Sequence, residues 1–113
     1  MKVIDSEVLK AKLDRGDNFQ LVMTLDQRAF DRMHIPGSLH FGNIQEAIER
    51  LDPTAETVVY CAGKWCRSSI DAYLALRNAG FEDLYRFAGG LEEWQAAHYP
   101  LEGSLAEVAM SVV

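Results

Sequence analysis

A chain of 113 residues, 49% hydrophobic and 25% charged, is long enough to bury one core without disulfides or metal and too apolar for a disordered segment. Its formal net charge of -6, with no arginine-rich or aromatic-interleaved stripe, argues against nucleic acid as a partner. No run approaches the roughly 18 apolar residues of a membrane span, and MKVIDSEVLK at the N-terminus lacks a signal-peptide core, so a cytoplasmic setting without a membrane partner is expected.

Asp5 or Ser6 is placed to cap a first helix, in which Val8, Leu9, Ala11 and Leu13 recur at helical spacing until Gly16. Phe19 to Leu25 (FQLVMTL) is a nearly continuous apolar run, as expected of a strand covered on both faces. A short helical turn around Ala29 and Phe30, a turn at Ile35-Pro36-Gly37 and a brief strand at Leu39 to Phe41 follow. NIQEAIERLDP predicts a helix that stops before Pro53, and TVVYC, rich in β-branched and aromatic residues, predicts a buried strand. Ser68 and Asp71 form a capping-box pattern, which predicts a helix starting just after Ser68 and running to Gly80. FEDLYRF supplies another strand, GGLEEWQAA a last helix and HYPLEG an exit loop.

Strands alternating with helices at this spacing predict an α/β fold: one domain over residues 1–103, with a mainly parallel sheet of about five strands and helices on both faces. The tail over residues 104–113 places Leu105, Val108, Ala109 and Val112 at helical spacing for only two turns. Packing on the parent domain, a homodimer contact and a frayed end all fit that pattern.

The chain's only cysteines, Cys61 and Cys66, share the loop CAGKWCR between a predicted strand and a predicted helix. Ligands of open α/β sheets gather beyond the carboxyl ends of the strands. Inward-facing loop N–H groups and a helix N-terminus there form a cradle for an anion. Lys64 and Arg67, with no acid between Glu56 and Asp71, favour a thiolate at that position. The plainer reading is that Cys61 only packs at a strand end. His34, His40 and His98 are scattered and none adjoins the thiols, so no metal site is expected.

VVYC leading into a glycine-containing loop that ends in RSS, preceded by HIPGS and followed by AGF and GGLEEWQAAHYP, resembles a rhodanese domain over about Val3 to Glu102. The resemblance implies a single-domain sulfurtransferase with Cys61 as the nucleophile that becomes a persulfide. The N–H groups from Ala62 through Gly63, Lys64, Trp65 and Cys66 to Arg67 would form the cradle, and Lys64 and Arg67 would help hold the donor. The implied partners are a small anionic sulfur donor such as thiosulfate and an acceptor that is cyanide, a thiol or a protein sulfur acceptor. No cofactor is implied.

Two departures matter. Cys61 and Arg67 enclose five residues, one more than the usual sulfurtransferase loop and equal to that of rhodanese-related phosphatases, which suit phosphate or arsenate. Those relatives carry an acid beside the arginine, whereas this loop carries Trp65 and Cys66 and so is closer to a two-cysteine subset of rhodaneses. Cys66 is within reach to resolve a Cys61 persulfide or sulfenic acid as a disulfide, and its place near the helix N-terminus also makes it an alternative nucleophile. Upstream, Met23, Thr24 and Leu25 stand where many relatives have an acid and an arginine, with Asp26 and Arg28 displaced. A non-catalytic rhodanese-like binding module and a thiol-disulfide protein remain the competing readings. His34 is expected to be structural, Trp94 to be core, Trp65 to shield the site or meet a partner, and Arg86 to lie near the loop.

Overall fold

The computed structural model describes residues 1–106. Four strands, β1 (Val3–Ile4), β2 (Gln20–Met23), β3 (Thr57–Tyr60) and β4 (Leu84–Phe87), form an all-parallel sheet in the order β1-β4-β3-β2. Five helices connect and cover it: α1 (Ser6–Arg15), α2 (Gln27–Arg32), α3 (Ile44–Arg50), α4 (Arg67–Asn78) and α5 (Gly90–Ala96). Asp5, Asp26 and Asn43 cap α1, α2 and α3 with side-chain oxygens that accept from the N–H three residues on. Among the described residues no helix is long and apolar enough to cross a membrane.

The two-residue period of the strands sorts their side chains into two cores. Leu21, Met23, Val58, Tyr60 and Phe87 face one side, where they meet Leu9 of α1 and Leu91 and Trp94 of α5. Val22, Val59 and Leu84 face the other, where Ala47 of α3 and Tyr73 and Leu76 of α4 cover them. Both faces of β3 are therefore buried, which is why TVVY is β-branched and aromatic throughout, with the Thr57 hydroxyl donating to the Ala55 carbonyl.

The sheet has four strands rather than about five. Leu39 forms a single parallel bridge to Val22, with Leu39 N–H donating to Leu21 and Met23 N–H donating to Leu39. Pairing stops there because the segment leaves the sheet at once: His40 turns to the Leu25 carbonyl (2.6 Å) and the chain enters the α3 cap at Asn43. Strand β1 was not legible in the sequence, because two residues are too few to show an alternation. It is fixed by its pairing with β4, with Arg86 N–H donating to Lys2, and by Ile4 packing against the core.

Helix α4 begins at Arg67, two residues before the start the capping-box pattern predicts. Its N-cap residue is Cys66, which makes no side-chain capping bond, and Ser68 lies inside the first turn. Its other end matches the prediction more closely. Gly80 at φ 100° lets its own N–H reach Arg77 and the Phe81 N–H reach Leu76, satisfying two helix carbonyls and seating Phe81 on Leu76. Of the tail, Ser104 and Leu105 donate to the Asp31 and Arg32 carbonyls and Ala106 is buried in the α1/α5 core. The rest of the proposed tail helix lies outside the described residues.

Two contacts place the end of β3. The Tyr60 hydroxyl, fully buried, accepts from Ile35 N–H (3.0 Å) and bonds the Ser38 hydroxyl (2.6 Å), which pins the IPG turn to the strand. Gly90 has φ 57°, and a β-carbon there would collide with the Cys61 carbonyl oxygen and lie 2.8 Å from the Ala62 carbonyl carbon. That close approach lets Leu91 and Glu92 N–H donate to the Cys61 and Ala62 carbonyls (3.0 and 2.8 Å), so α5 starts on the residues that leave β3.

Burial raises the Tyr60 pKa to about 12 from 10.0. The unfolded chain ionises first, so this contribution to stability is intact below pH 10 and is lost as pH rises through about 12. Denaturant titrations should show a decline on the order of 2–3 kcal/mol across that window, and Tyr60→Phe should flatten it. Gly90→Ala combines a left-handed φ with backbone collisions and should cost more than about 1 kcal/mol, read as a lower urea midpoint; an unchanged midpoint would contradict the packing described.

Candidate active site

Residues 61–66 run from the end of β3 to the start of α4. Cys61 continues the pleat of β3, so its side chain falls on the α4 side with Val59. It is 1% exposed and forms the floor of the loop. Cys66 Sγ is joined to Cys61 Sγ as a disulfide, with Cα atoms 6.4 Å apart, inside the span that such a bridge requires. The loop closes on itself through Cys66 N–H, which donates to Gly63 at 3.1 Å.

Beneath the loop lies Arg86. The parallel register pairs Val59 with Arg86 and Tyr60 with Phe87, so Arg86 sits on the α4 face one step from the end of the sheet. Its Nε donates to Ser69 Oγ at 2.9 Å and its Nη2 to the Lys64 carbonyl at 3.1 Å. It is 6% exposed and has no carboxylate partner among the described residues. Burial lowers its pKa from the ordinary value, yet a guanidinium remains charged at neutral pH.

Ser69 Oγ lies 3.2 Å from Cys61 Sγ. Arg86 donates to that oxygen, and because a disulfide sulfur carries no hydrogen, the Ser69 hydroxyl is within reach to donate to it. The result is a chain of polarity from a buried cation through one hydroxyl to the Cys61 sulfur. Ser69 entered the sequence reading only as the last residue of RSS, with no role of its own, and Arg86 could be placed only by its position before the glycine pair.

The outer side of the loop is more balanced in charge than its sequence suggests. Lys64 is exposed and its ammonium lies 5.2 Å above the Trp65 ring, which is itself 84% exposed. Arg67 is exposed at the first position of α4. Against them, the Glu92 carboxylate packs over Gly63, an acid that no reading of the loop sequence includes because α5 delivers it. Among the described residues, the N–H groups of Ala62, Gly63, Lys64 and Trp65 are spent on no internal hydrogen bond.

Thr24 occupies the place of the missing acid and arginine. Its N–H and hydroxyl donate to the Tyr60 carbonyl (2.9 and 3.1 Å), and the same hydroxyl lies 3.1 Å from Ser68 Oγ, which is 3.2 Å from Cys66 Sγ. The loop's far end is thus supported by neutral hydroxyls, while Asp26 is committed to capping α2. His34 stacks on Phe30 and bonds the Phe30 carbonyl through Nδ1 (2.7 Å), a structural placement. Trp94 is buried with its Nε1 donating to Pro100 at 2.8 Å. A largely apolar cavity of about 690 Å³ opens between the end of β2, α3 and α4; Ser68 is in its wall and Cys61 is not.

The profile of the rhodanese-like domain family matches residues 5–97. The chain is 38% identical over 95 residues to the thiosulfate sulfurtransferase GlpE of Pseudomonas syringae, covering 82% of this chain and 87% of that one. It is 32% identical over 75 residues to the protein of the same name from Coxiella burnetii, covering 65% and 68%. Among solved structures, the rhodanese-like domain of an Anabaena protein superposes with a TM-score of 0.77 at 31% identity, over 91% of this chain and 80% of that one. With the parallel sheet, the strand-end cysteine and the glycine-led last helix, these similarities show that the chain belongs to the rhodanese-like domain family.

Proposed function

We propose that this chain is a rhodanese-type sulfurtransferase that carries sulfane sulfur on Cys61, taking it from thiosulfate or a related anionic donor and giving it to a thiol or to cyanide. The observation that carries this reading is the buried Arg86, a cation with no acid partner among the described residues, which donates to the Ser69 oxygen 3.2 Å from the Cys61 sulfur. A buried charge requires a compensating one, and a thiolate, a persulfide or a bound donor dianion supplies it.

The chemistry balances without a cofactor. Once the Cys61–Cys66 bridge is reduced, the Cys61 thiolate attacks the outer sulfur of thiosulfate, the S–S bond of the donor breaks, and sulfite leaves with the electron pair. The persulfide on Cys61 is again an anion, held by Ser69 and by the unspent loop N–H groups. An acceptor thiolate or cyanide attacks the outer sulfur and returns Cys61 as thiolate. Arg67 and Lys64 face solvent and attract the donor dianion, with Glu92 opposing them; the Trp65 surface is available for an acceptor. A cytoplasmic setting, where thiols are kept reduced, suits a loop that works only when its bridge is open.

Thiocyanate formation from thiosulfate and cyanide by the pre-reduced chain tests this. Cys61→Ser should lower it by at least roughly 10³-fold. Arg86→Met should lower it by about 10²-fold and Ser69→Ala by about 10-fold, each with an unfolding midpoint still high enough to keep the chain folded. Full activity in Cys61→Ser would rule out the assignment.

A further inference from the structure

The paired sulfurs lead beyond simple sulfur transfer. Cys66 Sγ meets Cys61 at Sγ itself, the inner sulfur of any persulfide formed there, rather than at a position where an outer sulfur would sit. Five residues separate the two cysteines and the loop is already curled by the Cys66 N–H to Gly63 bond, so the contact needs no large rearrangement. Cys66 is also the more accessible of the two: it is half-buried, against 1% exposure for Cys61.

We propose that Cys66 is a resolving nucleophile, which makes the chain a hydrosulfide-releasing enzyme that consumes a dithiol. The step rests on sulfur transfer to Cys61 as proposed above. The Cys66 sulfur attacks Sγ of the Cys61 persulfide anion while the Cys66 thiol proton passes to the outer sulfur; the Cys61–Cys66 bond forms, the bond between Sγ and the outer sulfur breaks, and the outer sulfur departs with its electron pair as hydrosulfide. Both cysteine sulfurs are oxidised to the disulfide and the transferred sulfur is reduced to sulfide.

Resetting the loop requires two electrons, which a dithiol reductant supplies. Its first thiolate attacks Cys66 Sγ, the accessible sulfur, and expels Cys61 as the thiolate facing Ser69 and Arg86. Its second thiol then closes a ring and frees Cys66. A monothiol has no such intramolecular second step, so the dithiol is the better reductant at equal concentration. The sum is thiosulfate plus dithiol giving sulfite, hydrosulfide and a cyclic disulfide, and the arrangement seen in the structure is the form awaiting reduction.

The test uses the full chain, reduced and then freed of reductant, mixed with excess thiosulfate and no acceptor, with sulfite and hydrosulfide quantified over time. The parent should release one sulfite and one hydrosulfide per chain, the hydrosulfide with a half-time independent of protein concentration, and should stall until dithiothreitol is added. Cys66→Ser and Cys66→Ala should each release one sulfite and no hydrosulfide; serine is a good N-cap residue at the head of α4, so the first of these keeps the helix start. Sulfite without hydrosulfide from the parent, or a hydrosulfide half-time that shortens with protein concentration, would overturn the resolving role and leave transfer to Cys61 standing. No sulfite from any of the three chains would overturn both.

Discussion

A buried guanidinium with no carboxylate partner among the described residues is the constraint around which the site is organised. Arg86 reaches Ser69 and the Lys64 carbonyl only because β3 and β4 run parallel and in step, which puts the Arg86 side chain and the Cys61 side chain on the same face at the same end of the sheet. A shift of one residue in that register would send Arg86 into the α1/α5 core, where Tyr60 and Phe87 now pack. The core residues that fix the register are therefore also what aim the cation at the sulfur. Gly90 does the complementary work from the other side, holding the Cys61 and Ala62 carbonyls so that the loop departs in one direction.

Charge is distributed on two scales. The chain as a whole is acidic, and acids reach the loop itself through Glu92 over Gly63, while the next residue, Glu93, accepts from Ser6 N–H at 2.8 Å and ties α5 to α1. Attraction for an anion is thus concentrated in the loop N–H groups, the head of α4 and Arg86, rather than spread over a basic surface. That distribution suits the small dianionic donor proposed above better than a polyanion.

Much of the fold was legible because it depends on local chemistry. A cap for α1 at Asp5 or Ser6, Gly80 closing α4 and the β-branched and aromatic TVVY are each decided by residues within a few positions, and the strand and helix alternation follows from them. What escaped depends on partners far along the chain. Strand β1 exists because β4 offers it hydrogen bonds, and the Leu39 segment pairs for one residue because His40 is drawn to Leu25. Helix α4 starts at Arg67 because the loop ends at Cys66, overriding the Ser68 and Asp71 pattern. In the site, Cys61 and the loop stood out through position and composition, whereas Ser69 and Glu92 matter only through contacts that α4 and α5 create. Thr24 shows the same limit: the departure from the family's acid and arginine was visible, but its replacement by a hydroxyl relay to Ser68 and Cys66 was not.

The claim on which everything functional rests is that Cys61, and not Cys66, first receives the sulfur. Peptide mapping by mass after brief exposure of the reduced Cys66→Ser chain to thiosulfate addresses it most directly. The account predicts one added sulfur, confined to the peptide that contains Cys61 and removed by cyanide. No added sulfur in Cys66→Ser, together with an added sulfur on Cys66 in Cys61→Ser, would contradict it and make Cys66 the nucleophile.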